Sequence, residues 1–138
     1  MMNVIRKIEQ GAYEDVGKLV LRLTVGGLML FHGISKLSGG IGFITDVVVK
    51  AGLPSIVAYG VYVGEVIAPI LIIIGLYSRV GAAVIAVNML FALCLVHTAE
   101  LFSLGQSGGW AVELQGFYLF GAIAVVLLGP GRFSINSR

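Results

Sequence analysis

The segment Val16–Leu37, VGKLVLRLTVGGLMLFHGISKL, decides the class of this protein. A bilayer core about 30 Å thick needs roughly 20 apolar residues in helical form, and this segment is long enough to cross it. The apolar region of a cleavable signal peptide is shorter, about 7–15 residues. The segment is therefore predicted to stay in the protein as a transmembrane helix.

The composition of the whole chain agrees with a membrane protein. Of the 138 residues, 58% are hydrophobic and 12% are charged, and the mean hydropathy is +1.01. A soluble domain usually has a charged fraction of about 25%, and a small domain buries only about two-thirds of the surface that its unfolded chain exposes. The excess apolar surface predicts contact with lipid. We expect residues 1–138 to form a single membrane domain.

Three further apolar segments follow the first one. The sequence predicts spans over residues 16–37, 56–76, 80–97 and 110–128, which together define an all-α protein with a four-transmembrane-helix bundle. Residues 43–51, between the first two spans, alternate with a helical period and predict a short interfacial helix in the first outer loop. The first ten residues predict a second amphipathic helix on the membrane surface.

The basic residues predict the orientation of the spans. Lys and Arg are concentrated on the cytoplasmic side of membrane proteins. Seven basic residues fall at the two termini and in the hairpin between spans two and three, against two on the other side: Arg6, Lys7, Lys18, Arg22, Arg79, Arg132 and Arg138, against Lys36 and Lys50. This predicts a multi-pass protein of the bacterial inner (plasma) membrane with both termini cytoplasmic.

Ionisable residues inside the spans are the candidate functional residues. Such groups are costly in lipid and usually face a bundle interior or a cavity. The candidate cofactor-binding pocket opens outward and contains His32, Lys36, Glu65, His97 and Glu113, with Arg22 and Asn88 as secondary candidates. We expect an ion pair between Lys36 and Glu113 and a hydrogen bond between Glu65 and Asn88. Two interpretations stay open: these groups pair only to fix helix register, or they line a pocket for a small molecule or redox cofactor.

Other side chains in the spans give little indication of a catalytic or cofactor-binding role. Arg22 and Arg79 can extend to the cytoplasmic headgroups. The single cysteine, Cys94, excludes an intrachain disulfide relay. Haem is disfavoured because the chain has no CxxCH motif and because His97 and Asn88 lie about 180° apart around their helix. No metal is expected, and a quinone remains the cofactor that we consider.

Partners are predicted only in general terms. The lipid bilayer is the first, and the absence of a basic run argues against nucleic acid. Gly60 and Gly64 form a GxxxG motif, which packs either against another helix of the same chain or against a second protomer of a homo-oligomer.

Several motifs, taken in order, resemble the DoxX family of small membrane proteins over residues 16–136. The pattern is carried by LRL and FHGISKL in the first span and by GLP, GEV, GLYSR, GWAVE and GPGRFS further along: residues 21–23, 31–37, 52–54, 64–66, 75–79, 109–113 and 129–134. His97 stands where the family's third span ends in histidine. Asn136 departs from the pattern, which usually has an acidic residue there.

The resemblance implies a four-helix inner-membrane protein linked to redox chemistry. The family name comes from a similarity to a subunit of a thiosulfate:quinone oxidoreductase. We therefore expect a membrane subunit or scaffold of a redox-linked system, in sulfur, quinone or oxidative-stress metabolism, with a redox protein as partner. The alternatives are a small oxidoreductase that handles a quinone or sulfur compound, and a carrier that binds a small molecule or lipid.

Overall fold

The computed structural model describes all residues, 1–138, and confirms the all-α class. Five helices follow one another along the chain: α1, Met2–Gly39; α2, Gly42–Lys50; α3, Ser55–Ile74; α4, Ser78–Leu95; and α5, Glu113–Leu128. A single 3-10 turn, Thr98–Glu100, follows α4. The only strand-like pairing is one bridge between Leu104 and Trp110.

Three of these helices, α1, α3 and α4, are long and apolar enough to cross a membrane, and α5 is apolar but shorter. The fourth predicted span begins at residue 110, whereas α5 begins at Glu113. Trp110 is held in the preceding loop, where its indole nitrogen donates a hydrogen bond to the carbonyl of Leu101 at 2.7 Å. The loop therefore keeps the residues that precede Glu113 out of the helix.

The sequence predicted two short helices, and both regions are helical. Only one of them is a separate helix. The helix predicted over residues 43–51 is present as α2. The amphipathic helix expected in the first ten residues is instead continuous with α1, which has 38 residues. At 1.5 Å per residue, α1 is about 57 Å long.

The helices pack through small residues around one apolar core. Helix α4 packs along α5, and α1 packs against α3 and α5. A Cβ atom on Gly26 would lie 2.8 Å from side-chain atoms of Ile72 and Ile73, so α1 and α3 approach closely there. Many large apolar side chains face outward, among them Phe117 and Phe120 of α5. This surface suits contact with lipid tails.

Arg22 is the most deeply buried charged residue, and the expectation that it extends to headgroups is wrong. Its side chain is 1% exposed. Nε donates to Ile72 O at 2.8 Å and Nη2 donates to Ile73 O at 3.1 Å, in the last turn of α3. Carbonyls at a helix C-terminus lack intrahelical partners, and a cation there is favoured by the helix dipole. Arg22 therefore caps α3 from α1.

The C-terminal tail, residues 129–138, is fixed to the same end of the molecule. Arg22 Nη1 also donates to Pro130 O at 2.9 Å and to Phe133 O at 2.7 Å. Asn136 accepts a hydrogen bond from the backbone N–H of Tyr77 at 3.0 Å, through an oxygen that an acidic residue would also provide. We call this end, with Lys18, Arg22, Arg79 and the tail, the basic end. The opposite end, with α2 and residues 98–112, is the loop end.

Candidate functional site

The site is built around one turn of π-helix in α3. Residues Val63–Ile67 form this turn, and Ala68 donates its backbone N–H to Val63 O, five residues earlier. Pro69 explains the irregularity, because proline has no N–H for the carbonyl of Glu65, four residues before it. Single π-turns inside α-helices are frequent at functional sites. Glu65 lies in the middle of the turn and is 3% exposed.

Two neighbouring helices clamp the π-turn. A Cβ atom on Gly33 of α1 would collide with the backbone carbonyl of Glu65, so only glycine permits this approach. A Cβ atom on Gly64 would lie 2.6 Å from side-chain carbons of Asn88 on α4. Gly64 of the GxxxG motif therefore packs within this chain, whereas Gly60 faces open space.

Lys36 and Glu65 form an ion pair at this point. The Nζ–Oε1 distance is 2.6 Å, and the two side chains are 25% and 4% exposed. The expected pair between Lys36 and Glu113 does not form. Gly33 rests on the backbone of Glu65, and Lys36 lies one turn further along α1 with a side chain that points back toward the N-terminus. Lys36 is therefore directed to Glu65, and Glu113 is exposed beside Gly109.

The expected hydrogen bond between Glu65 and Asn88 also does not form. The Glu65 carboxylate bonds to Lys36 instead. The Asn88 side chain packs on Gly64 and lines the cavity described below, where its amide has no hydrogen-bond partner in the protein.

The two histidines have different surroundings. The ring of His32 meets the ring of Tyr118 edge-on, with centroids 5.6 Å apart and an interplanar angle of 89°. His97 lies beside Glu100, with Nδ1 3.4 Å from Oε2, and beside Gln115, with Nε2 3.3 Å from the amide nitrogen. Gln115 and Tyr118 are site residues that the sequence analysis missed. They lie three positions apart on α5, the spacing of one helix face.

An elongated cavity of about 870 Å³ connects these groups. Of its 28 lining residues, 20 are hydrophobic, and α2 contributes Phe43, Ile44 and Val47 to one wall. The polar lining side chains are those of His32, Lys36, Glu65, Asn88, His97, Gln115 and Tyr118. The structure thus brings five of the predicted site residues to one cavity. The two other predicted residues do not line the cavity: Arg22 lies at the basic end, and Glu113 is exposed outside the cavity wall.

The cavity has the features of a binding site for an organic molecule. Its volume falls in the range of small-molecule sites, about 300–1,000 Å³, which are mainly apolar with a few convergent polar groups. The side chains of His32, Asn88 and Tyr118 face it with no hydrogen-bond partner in the protein, and Lys36 uses one of its three N–H donors on Glu65. No group of three or more His, Cys, Asp or Glu side chains is arranged to hold a metal ion.

Comparisons with known proteins agree with the sequence pattern. A family model described as DoxX matches residues 17–98. The chain is 37% identical over 82 residues to a Bacillus subtilis protein named "Putative oxidoreductase CatD". That match covers 59% of this chain and 56% of CatD, so the chain aligns with just over half of the length of that relative.

Two other relatives match over most of their length. The chain is 28% identical over 144 residues to the inner membrane protein YphA of Escherichia coli, covering 99% of this chain and 100% of YphA. It is also 28% identical over 134 residues to the membrane protein Rv3486 of Mycobacterium tuberculosis, covering 87% and 79% of the two chains. No solved structure matches the chain.

Proposed function

The chain belongs to the DoxX family, and on this premise we propose that it binds a quinone-like amphiphile within a redox-linked system of the bacterial inner membrane. The chain is a membrane protein, because its relatives are named as membrane proteins and three of its helices are apolar enough to cross a bilayer. The topology, the ligand and the redox link are proposals.

The proposed topology is a bundle of four spans, α1, α3, α4 and α5, with both termini cytoplasmic. At 1.5 Å per residue, the 16 residues of α5 measure about 24 Å, close to the 30 Å of a typical bilayer core. Seven of the nine basic residues belong to the basic end or to the N-terminal part of α1 that extends beyond it. The positive-inside rule then makes the basic end cytoplasmic and the loop end periplasmic or external.

The cavity carries the proposal of an amphiphilic ligand. It lies along α4 from Val80, near the basic end, to His97 at the loop end. Seventeen steps of 1.5 Å from Val80 to His97 give a length of about 25 Å. Along this stretch of chain the polar lining groups run from Asn88, at the middle of its length, to His97 at the loop end, and the lining residues from Val80 to Val87 are apolar. Such a site suits a molecule with a compact polar head and a long apolar tail.

The charge of the site favours a neutral head. Lys36 and Glu65 neutralise each other across 2.6 Å, so the head need not bring a charge of its own. A quinone has carbonyl oxygens that accept hydrogen bonds, and its reduced form has hydroxyl groups that also donate them. Lys36, Asn88 and Tyr118 provide donors, and Glu65 provides an acceptor. The name of CatD as an oxidoreductase supports the redox link.

A second candidate function, that of a scaffold for a redox protein, is favoured by the length of α1. Its first two turns extend beyond the packed helices and expose Val4, Ile5 and Ile8. Exposed apolar groups on such an arm often mark contact with a partner. Replacing Ile5 and Ile8 by Ser should reduce recovery of redox proteins with the tagged chain from mild detergent. Unchanged recovery would count against the scaffold.

Fluorescence titration tests the ligand proposal. The single tryptophan, Trp110, packs on Gly116, the residue after Gln115, so a bound quinone should quench its emission. We expect saturable quenching by decylubiquinone in the purified protein and much weaker binding in Glu65→Gln. Glu113→Gln is the matched control, because Glu113 lies outside the cavity. Linear, non-saturating quenching that is the same in all three proteins would refute the ligand proposal.

A further inference from the structure

The contacts of Gln115 carry a further inference about the selectivity of the cavity. Gln115 lines the cavity on α5, and its amide nitrogen lies 3.3 Å from Nε2 of His97. An amide –NH₂ only donates hydrogen bonds, so Nε2 of His97 must accept here. The proton of the neutral ring is then on Nδ1, which donates to Oε2 of Glu100 at 3.4 Å.

This arrangement determines which atoms of the Gln115 amide can form hydrogen bonds to a ligand. The amide nitrogen is directed to His97, and the amide oxygen accepts no hydrogen bond from the protein. With His97 neutral, one N–H of Gln115 is used on His97, the second stays free, and the amide oxygen offers the cavity an acceptor. A ligand group that donates, such as the hydroxyl of a quinol, complements it.

Protonation of His97 reverses the preferred orientation of the Gln115 amide. The imidazolium has N–H donors at both ring nitrogens, so its Nε2–H faces the –NH₂ of Gln115 without an acceptor. A rotation of the amide by about 180° turns the oxygen to His97 and the –NH₂ to the cavity. A ligand group that only accepts, such as the carbonyl of a quinone, then fits better.

We propose that Gln115 selects between the oxidised and reduced forms of the ligand, and that the protonation state of His97 sets this preference. The proton comes from water at the loop end, where Glu100 is exposed, and no bond of the ligand changes in this step. Histidine is suited to this role because it changes charge near neutral pH. The inference rests on the quinone-like ligand proposed above.

The test must distinguish the pH effect of His97 from effects of the other ionisable and polar groups that line the cavity. His32 on α1 and Tyr118 on α5 line it without a hydrogen bond to Gln115, and Lys36 and Glu65 are joined to each other. Glu100 is the charged group that contacts His97. His32→Gln is therefore the matched control for His97→Gln, because it removes a histidine of the same cavity.

The test compares two probes in each protein. Dissociation constants of decylubiquinone and of decylubiquinol, measured without oxygen at pH 5.5 and pH 8, give an affinity ratio for each pH. In the parent protein and in His32→Gln, we expect the ratio to shift toward the quinone at pH 5.5 by about fivefold to tenfold, the value of one hydrogen bond. In His97→Gln and in Gln115→Leu, the ratio should not depend on pH.

Each outcome separates the two proposals. Binding of both probes with a ratio that does not change with pH in the parent protein would overturn the role of His97 and Gln115 and leave the cavity as a quinone site. A pH-dependent ratio that persists in Gln115→Leu would also overturn it. Absence of saturable binding of either probe at both pH values would overturn the proposed function, and this inference with it.

Discussion

The ammonium group of Lys36 lies 2.6 Å from the carboxylate of Glu65, and this ion pair joins α1 to the π-turn of α3. The pair lies at the polar part of an otherwise apolar cavity. Removing one charge of the pair leaves the other charge unpaired in apolar surroundings, which destabilises the protein. Replacing both charged groups by apolar groups leaves no unpaired charge. The pair can therefore be tested separately for its effects on stability and on ligand binding.

Glu65→Gln should destabilise the protein because Lys36 loses its only charged partner. We expect a loss of about 1–3 kcal/mol in the free energy of unfolding, measured by thermal or denaturant unfolding in detergent. The double variant Lys36→Met/Glu65→Leu should recover most of that stability, because both charges are replaced by apolar groups. It should not recover quinone binding. A double variant less stable than Glu65→Gln would contradict this account of the pair.

Gly33→Ala should disturb the site through the backbone. The added Cβ collides with the carbonyl of Glu65, so α1 and the π-turn must separate. Overpacking of this kind costs about 1–3 kcal/mol, and we also expect weaker quinone binding. Gly27→Ala is the control, because a Cβ there meets nothing within 4 Å. Equal stability and equal affinity for the two variants would show that α1 does not position Glu65.

Arg22→Lys should destabilise the basic end without altering the cavity. Lysine keeps the charge but cannot reproduce the fork that reaches Ile72, Ile73, Pro130 and Phe133. Buried carbonyls without donors should lower the unfolding free energy by at least about 2 kcal/mol. Arg132→Lys, on the exposed surface, should change it little. Limited proteolysis should detect release of the tail in Arg22→Lys, and an intact, protected tail would contradict the role assigned to Arg22.

Thiol labelling tests the proposed topology. In a Cys94→Ala background, a cysteine replaces either Ser107, in the loop end, or Ser137, in the tail. A membrane-impermeant maleimide added to intact cells opened only at the outer membrane should label Ser107→Cys and should label Ser137→Cys only after lysis. The reverse pattern would invert the orientation, and labelling of both positions from the same side would show that α5, the only helix between them, does not cross the membrane.

The sequence was sufficient for the parts of the fold that depend on composition and period. Long apolar segments predicted the helical regions, and the helical alternation of residues 43–51 predicted α2. The sequence was less informative where a loop competes with a helix. Trp110 counts as apolar in a span, yet its N–H bonds to Leu101, and α5 begins only at Glu113.

The sequence identified the buried charges but not their partners. Depth along a helix placed Lys36 near Glu113, whereas the partner is set by the contact of Gly33 with the Glu65 backbone, which depends on how two helices dock. The same holds for Arg22, since its partners are carbonyls at the end of another helix. One signal was present in the sequence: Pro69, four residues after Glu65, marks the carbonyl that loses its helical donor.

Photolabelling of the cavity is the most direct test of the central claim, that the site around Lys36 and Glu65 binds a quinone-like molecule. The purified protein is irradiated with a photoreactive azidoquinone, and the labelled peptides are mapped by mass spectrometry. The account predicts labels on the cavity walls, in residues 57–65 of α3, in residues 80–95 of α4 and at His97, that are suppressed by excess decylubiquinone and absent in Glu65→Gln. Labels distributed over the lipid-facing surface, with no competition by decylubiquinone, would contradict it.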